Sequence, residues 1–305
     1  MPRLRLVIVA LVALAAAAVL ATACGGDGDG GASGKVRVVT SLPLFADMAR
    51  EVGGDRVDVT ALLPAGADPH TFEPSPRDVR SVAEADVLFA NGLDLEPGAV
   101  KIMETNRKDG APLVLLGERA EADGVQVING NPHLWLDLAN AREYARLIAG
   151  ALMTADPRQS EWYANDYRLY LQALDSVDAY AKQTVAAIPE TSRKFVTTHD
   201  AFTYFAQYLG FEIVAFVAQG PGQEPSPEDV ADLTRAIRDE HVPAVFTEPQ
   251  AGSEGRVLEQ AAADAGVQVC TLYSDSLDDE VKTYIDLMRF DADELARCLG
   301  GADGG

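Results

Sequence analysis

The sequence predicts an α/β protein of two lobes, each built on a mostly parallel β-sheet, joined by one long helix. Two observations carry this prediction: short apolar, β-branched runs alternate with helical patterns, and the alternation restarts after a long helical segment in mid-chain. Such alternation indicates βα units and a buried parallel sheet. The 305 residues suit two domains of ordinary size, and 48% hydrophobic residues are enough for a large core.

The N-terminal lobe is predicted over residues 35–156. Its strands are expected at residues 36–40, 57–63, 86–90 and 113–116. Its helices are expected at residues 42–52, 78–84 and 139–153. Two consecutive glycines, Gly53 and Gly54, end the first helix because glycine favours helix termination.

The linking helix is predicted over residues 157–188. Asp156 is expected to cap it and Pro157 to occupy its first position, which proline tolerates well. Apolar side chains recur every three or four residues from Tyr163 to Val185, which predicts one buried face. A helix of about 30 residues would span roughly 45 Å. The alternative is a single doubly wound domain with a helical excursion.

The C-terminal lobe is predicted over residues 190–301. Its strands are expected at residues 194–197, 212–217, 244–247 and 267–272. Its helices are expected at residues 201–209, 227–241, 254–265 and 278–288.

The N-terminal segment is predicted to lie outside the fold. Two arginines precede an apolar run that ends in small residues before Cys24, which is typical of a secretory signal peptide over residues 1–23. The end of this run resembles a bacterial lipobox, which implies a lipid anchor on Cys24 followed by a Gly-rich tether over residues 24–34. A plain secretory signal and an uncleaved anchor helix are alternatives. Each version places the rest of the chain outside the cytoplasmic membrane, on its outer face or in the periplasm.

The charge balance argues against nucleic-acid binding. Lys and Arg total 25 against 47 Asp and Glu, a formal charge of -22. A surface this acidic repels phosphate backbones and attracts cations. The sequence also lacks a phosphate loop, a dinucleotide-binding glycine pattern and the motifs of serine hydrolases and metalloproteases.

Three of the four histidines fall at predicted strand-to-helix junctions. His70 follows a strand, His133 precedes a helix, and His199 ends a strand. Ligands of open α/β sheets bind at this edge. Each histidine alone would more often be a core or capping residue, but three in equivalent settings favour a binding site. His241 follows an acidic helix and is expected to interact with the negative end of its dipole.

Two carboxylates occupy similar positions. Asp275 follows the last predicted strand, where it would either cap the next helix or complete a set of four ligands for a borderline divalent ion. Glu248 also ends a strand and would either accept a hydrogen bond that orients a ligand histidine or remain an ordinary loop carboxylate.

Four segments together resemble the zinc/manganese solute-binding proteins of bacterial ABC importers: residues 68–76, 131–137, 198–205 and 271–277. The resemblance extends in order over the whole mature chain. It implies two Rossmann-like lobes joined by a rigid helix, with one metal ion in the cleft and two ligands from each lobe. Carried over motif by motif, the ligands are His70, His133, His199 and Asp275.

The resemblance implies a monomeric receptor rather than an enzyme, which captures a divalent metal and delivers it to the permease and ATPase of an importer. Manganese-type members tend to carry Glu where this chain has His199, and imidazole suits zinc. Many zinc-type members also carry a His-rich loop, which residues 104–131 lack. Zinc is therefore expected, with manganese as the alternative.

Some zinc-type relatives carry a disulfide in the second lobe, which implies a bond between Cys270 and Cys298. The alternative is two buried thiols. Two other functions are compatible with the sequence: an extracytoplasmic zinc hydrolase, with Glu248 as its base, and an adhesin that retains the fold.

Overall fold

The structure is a computed structural model that describes residues 34–218 and 226–301. The predicted signal peptide, Cys24 and all but the last residue of the tether lie outside the described residues. None of the helices in the described residues is both long and apolar enough to cross a lipid bilayer.

The N-terminal lobe contains a four-stranded parallel sheet with helices on both faces. Its strands are β1 (Val36–Thr40), β2 (Val57–Ala61), β3 (Val87–Ala90) and β4 (Leu113–Leu115), in the order β2-β1-β3-β4. Its helices are α1 (Pro43–Gly53), α2 (Pro76–Glu84), α3 (Pro97–Asn106), α4 (Leu116–Ala122) and α5 (Leu138–Ala155). Helices α3 and α4 were not predicted from the sequence.

The long helix α6 runs from Ser160 to Val185, 26 residues. It packs on α1 and α5 of the first lobe and on a helix of the second. One of its faces is buried: Tyr163, Tyr170, Leu174, Val177, Ala181 and Val185. The predicted start at residue 157 was wrong for the α-helix, because Pro157–Gln159 forms a separate 3-10 turn and the Asp156 side chain makes no cap hydrogen bond.

The C-terminal lobe repeats the same topology. Its parallel strands are β5 (Lys194–Thr197), β6 (Glu212–Phe216), β7 (Ala244–Thr247) and β8 (Gln268–Thr271), in the order β6-β5-β7-β8. Its helices are α7 (Thr203–Leu209), α8 (Pro227–Asp239), α9 (Ser253–Ala265) and α10 (Tyr284–Leu299). Two α/β lobes with parallel sheets joined by one long helix are therefore confirmed.

The last helix starts later than predicted. Residues 278–283 form a turn because the carboxylate of Asp278 accepts the backbone N–H groups of Glu280 and Val281, at 2.8 and 2.9 Å. Such a side-chain bond competes with helix formation. Helix α10 begins only after Thr283, whose hydroxyl accepts the N–H of Asp286 at 3.0 Å.

The two lobes also begin one equivalent helix in the same way. The pattern Ser-Pro-x-Asp-Val starts at Ser75 before α2 and at Ser226 before α8. In each case the serine N–H donates to the Asp carboxylate three residues later, at 2.7 and 2.8 Å, and proline occupies the first helical position. Both helices follow the edge strand that pairs with the first strand of the lobe.

Buried hydrogen bonds hold the lobes together. The indole N–H of Trp135 in the first lobe donates to the Ser274 carbonyl in the second at 2.9 Å. The hydroxyl of Tyr284 donates to the Trp135 carbonyl at 2.5 Å, and the Tyr284 N–H donates to Asp47 at 2.8 Å. Residues of both lobes and of α6 also share one apolar core, so the lobes are joined by packing as well as by hydrogen bonds.

Candidate metal centre

The second lobe places three polar side chains at the carboxyl edge of its sheet. His199 lies two residues beyond the end of β5, and Glu248 directly follows β7. Asp275 lies four residues beyond β8. These strands are neighbours in one parallel sheet, so their carboxyl ends meet at one edge.

The first lobe supplies its two histidines from loops. His70 lies between β2 and α2, where its backbone N–H donates to the Asp68 carboxylate at 2.9 Å. His133 precedes a 3-10 turn, and the Asn131 amide oxygen accepts both its backbone N–H, at 3.0 Å, and its Nδ1–H, at 2.9 Å. This hydrogen bond to Nδ1 leaves Nε2 of His133 as the free ligand atom.

The structure brings His70, His133, His199 and Asp275 together, with one ligand atom from each lying within 4.8 Å of all the others. Nε2 of His133 lies 3.4 Å from Nε2 of His199 and 3.4 Å from Oδ1 of Asp275. A tetrahedron with metal–ligand bonds of about 2.0–2.1 Å has edges of about 3.3–3.4 Å. These two separations therefore match a tetrahedral ion.

Two atoms of this cluster are buried without a hydrogen-bond partner in the part of the chain that the structure describes. They are Nε2 of His70 and Oδ1 of Asp275. Buried polar atoms in folded proteins nearly always have a partner, so each exception needs an explanation. A bound cation would supply that partner for both atoms.

Glu248 lies directly behind His199. Its Oε2 lies 2.9 Å from Nδ1 of His199 and also accepts the Thr198 hydroxyl. Its Oε1 accepts the Ser274 hydroxyl and the Gln250 amide, the latter at 3.1 Å. The side chain is fully enclosed, with 0% exposure. This arrangement directs Nε2 of His199 towards the cluster.

Burial and neighbouring charges separate the pKa values of the cluster. Burial lowers the pKa of His70 to about 4, and it also lowers the pKa of His133 well below its usual range. Burial opposes protonation of His199 as well, but the charge and hydrogen bond of Glu248 raise its pKa to about 9. Burial raises the pKa of Asp275 to about 7, against the opposing charge of His199.

Asp275 does not cap a helix, which was the alternative role considered from the sequence. The chain continues irregularly to Thr283 before α10 begins. His241 lies outside the cluster, after the end of α8, where its Nδ1 lies 2.8 Å from the carbonyl of Arg238. It therefore interacts with a helix C-terminus.

Sequence reasoning missed the residues that support the cluster. Asn131, Thr198, Ser274 and Gln250 each contact His133, Glu248 or Asp275. The feature of the sequence that could have identified them is their position, because each lies within two residues of His133, His199, Glu248 or Asp275. A cavity of about 300 Å³ opens onto the cluster, and its lining includes Asp68.

A disulfide joins Cys270, in β8, to Cys298, in α10. It encloses the segment that carries Asp275, because the two cysteines are 28 residues apart on either side of it.

Comparison with known proteins identifies relatives over most of the chain. The family model "Zinc-uptake complex component A periplasmic" matches residues 38–298. The metal ABC transporter substrate-binding lipoprotein FimA of Streptococcus parasanguinis is 30% identical over 282 residues, which cover 88% of this chain and 91% of FimA. The manganese ABC transporter substrate-binding lipoprotein PsaA of Streptococcus anginosus is 29% identical over 282 residues, covering 87% and 89%.

The fold has a counterpart among solved structures. The periplasmic zinc-binding protein TroA of Treponema pallidum superposes with a TM-score of 0.80 at 26% sequence identity, covering 87% of this chain and 99% of TroA. The family match, the FimA relative and this superposition agree. The chain belongs to the periplasmic zinc-uptake component A family, the metal-binding solute receptors of bacterial ABC importers.

Proposed function

We propose that the chain is an extracytoplasmic receptor that binds one divalent transition-metal ion, zinc in preference to manganese, and delivers it to the permease and ATPase of an ABC importer. The observation that supports this most is the convergence of three imidazoles and one carboxylate from four separate segments, with two of their buried atoms lacking any other partner. The ligands are His70, His133, His199 and Asp275.

The donor chemistry supports zinc. Three imidazole nitrogens and one carboxylate oxygen form a closed four-ligand set, and zinc prefers four-coordinate nitrogen-rich sites. Manganese favours more oxygen ligands in a larger shell. The relatives include proteins named for each metal, so the family alone does not decide the cargo.

The same contacts argue against the zinc hydrolase considered from the sequence. A catalytic zinc needs an open coordination position and a free general base. Both oxygens of Glu248 already accept hydrogen bonds, and its side chain is fully enclosed. Four protein ligands also leave no position for water in a tetrahedral shell.

Metal analysis of protein purified without chelators tests the proposal. We expect one zinc ion per chain, and we expect zinc to displace manganese in competition. A protein that binds no transition metal, or that releases zinc to equimolar manganese, would contradict it. A hydrolytic activity that requires zinc would favour the enzyme instead.

The substitution His199→Glu tests the basis of the zinc preference. It replaces an imidazole nitrogen with a carboxylate, which favours manganese relatively more than zinc. Calorimetric competition should show a narrower preference for zinc over manganese, without reversal, because zinc remains the tighter ion at most sites. An unchanged ratio would show that His199 does not contact the ion.

A further inference from the structure

The side chain of Gln250 contacts the candidate ligand Asp275, and neither the sequence nor the family comparison gives this residue a role. Its Nε2 lies 2.8 Å from the Ser274 hydroxyl oxygen, 3.1 Å from Oε1 of Glu248 and 3.3 Å from Oδ2 of Asp275. The amide therefore bridges two buried carboxylates.

The orientation of this amide follows from its neighbours. Two of the three contacted atoms belong to carboxyl groups, which only accept hydrogen bonds when they are ionised, as Asp275 is when it binds an ion. The third belongs to Ser274, whose own proton is donated to Glu248. A flipped amide would direct its oxygen at these acceptors, so the NH₂ group must face them.

The two oxygens of Asp275 are consequently unequal. Oδ1 faces Nε2 of His133 at 3.4 Å and has no hydrogen-bond partner in the described residues. Oδ2 lies 3.7 Å from Nε2 of His199, close enough to the cluster to reach an ion, but it accepts the Gln250 amide. An ion that takes Oδ2 must compete with this hydrogen bond.

We propose that Gln250 determines metal selectivity by restricting Asp275 to one-oxygen coordination. One-oxygen binding gives four ligands and suits zinc, whereas two-oxygen binding gives a larger shell that suits manganese. Gln250 is thus a specificity-determining residue that acts through Asp275 and need not contact the ion. This inference rests on the proposed metal-receptor function.

The substitution Gln250→Met tests it, because methionine has a similar length and no N–H donor. The zinc-to-manganese affinity ratio, measured by competition, should fall by about tenfold, which corresponds to about 1.4 kcal/mol. Cobalt(II) is the geometric probe, because tetrahedral cobalt absorbs visible light much more strongly than five- or six-coordinate cobalt. The parent should give the intense spectrum and the variant a weaker one. Gln250→Asn, which is one methylene shorter, should act in the same direction and serves if the methionine variant does not fold.

The matched control is Gln260→Met. Gln260 makes the same kind of bond, from Nε2 to the carboxylate of Asp264 at 2.9 Å, on the exposed surface of α9. The substitution Gln260→Met should leave both the zinc-to-manganese affinity ratio and the cobalt spectrum unchanged. The inference would be overturned if the Gln250 variants kept the zinc-to-manganese affinity ratio and the cobalt spectrum of the parent, or if the parent itself gave a weak cobalt spectrum. In either case, one bound ion per chain would leave the receptor function intact. A parent that binds no ion would instead refute the receptor function.

Discussion

The two lobes have the same strand order but hold their candidate ligands differently. In the second lobe, His199 is fixed by Glu248, and Asp275 is held by Gln250. In the first lobe, Asn131 fixes the ring of His133, but in the described residues His70 is held only through its backbone N–H, which donates to Asp68. The difference indicates that equal topology does not give equal rigidity at a site. The second lobe carries most of the supporting network, and His70 reaches the cluster from a loop.

The largest effect should follow from removing the supported histidine. His199→Ala deletes the ligand nitrogen that Glu248 orients towards the cluster. We expect zinc affinity to fall by about 1000-fold, or about 4 kcal/mol. His70→Ala deletes a ligand without such an orienting side chain and should cost less, about 100-fold. Chelator competition measures both.

The control for this pair is His241→Ala, which makes the same change outside the cluster and should leave zinc affinity unchanged. A larger loss for His70→Ala than for His199→Ala would break the comparison between the lobes. Equal losses in all three variants would remove the ligand assignment itself.

The disulfide is the next difference between the lobes. Replacing both Cys270 and Cys298 with serine should lower the free energy of unfolding by about 3 kcal/mol, because the bond closes a loop of moderate length in the unfolded chain. Denaturant unfolding of the metal-free protein measures this loss. A reducing agent should lower the free energy of unfolding of the parent by a similar amount and should leave that of the double variant unchanged. An effect of the reducing agent on the double variant would show that the loss has another cause.

The pH dependence of zinc binding should depend on Glu248. Its charge raises the pKa of His199 to about 9, and the extra proton occupies Nε2, the atom that faces the ion. Zinc affinity should therefore rise by about tenfold per pH unit from pH 7 to 9, as this proton is lost. Below about pH 7, protonation of Asp275 adds a second competing proton, because burial raises its pKa.

Glu248→Gln removes the charge that raises the His199 pKa. The variant should bind zinc more weakly at pH 9, by about 10-fold or more, and its affinity should change little between pH 7 and 9. Competition with a chelator of known pH dependence measures both slopes. Identical slopes in parent and variant would show that Glu248 does not control the protonation of His199.

The first lobe also contains a buried carboxylate after the equivalent strand, but six residues beyond the end of that strand, whereas Glu248 directly follows β7. Glu96 follows β3, the strand that corresponds to β7, and its Oε1 accepts the Asn91 N–H at 2.6 Å and the Ser41 hydroxyl at 2.7 Å. In the described residues no histidine contacts Glu96. Burial raises its pKa to about 7, whereas the pKa of Glu248 is lowered by His199 despite burial.

Glu96→Gln should give the smallest effect of these substitutions. It should change only the stability of the fold and leave zinc affinity unchanged. A raised pKa in the folded state contributes stability that is complete below the ordinary value of 4.5 and is lost as the pH rises through about 7. The parent should therefore lose roughly 2 kcal/mol between pH 5 and 8 that the variant does not lose. Thermal unfolding at the two pH values measures this, and altered zinc affinity would contradict a purely structural role.

The fold was predictable because the apolar runs of the strands and their helical spacers are short and regular. The missed elements have local causes. Helix α3 buries only Ala99 and Met103, so its apolar pattern is weak. Residues 278–283 read as helical, but the side chain of Asp278 takes the backbone N–H groups that a helix would use.

The candidate ligands were predictable because each histidine and Asp275 lies after a strand or before a helix at one edge of a sheet. The supporting contacts were not. The bond from Gln250 to Asp275 joins side chains 25 residues apart, and that from Trp135 to Ser274 joins residues 139 apart. Such contacts depend on how strands and lobes pack, which a single sequence does not encode in any local pattern.

The hydrogen bonds of Trp135 and Tyr284 across the lobes have a consequence for thermodynamics. Lobes that share a core and buried polar contacts unfold as one cooperative unit, so heating gives a single transition in place of two. An ion bound only by the native state then raises the melting temperature of the whole molecule. Conversely, a substitution that destabilises either lobe reduces the fraction of folded molecules, which are the only ones able to hold an ion. A transport defect in a variant is therefore evidence for a lost metal ligand only when the melting temperature of that variant, measured by calorimetry, is unchanged.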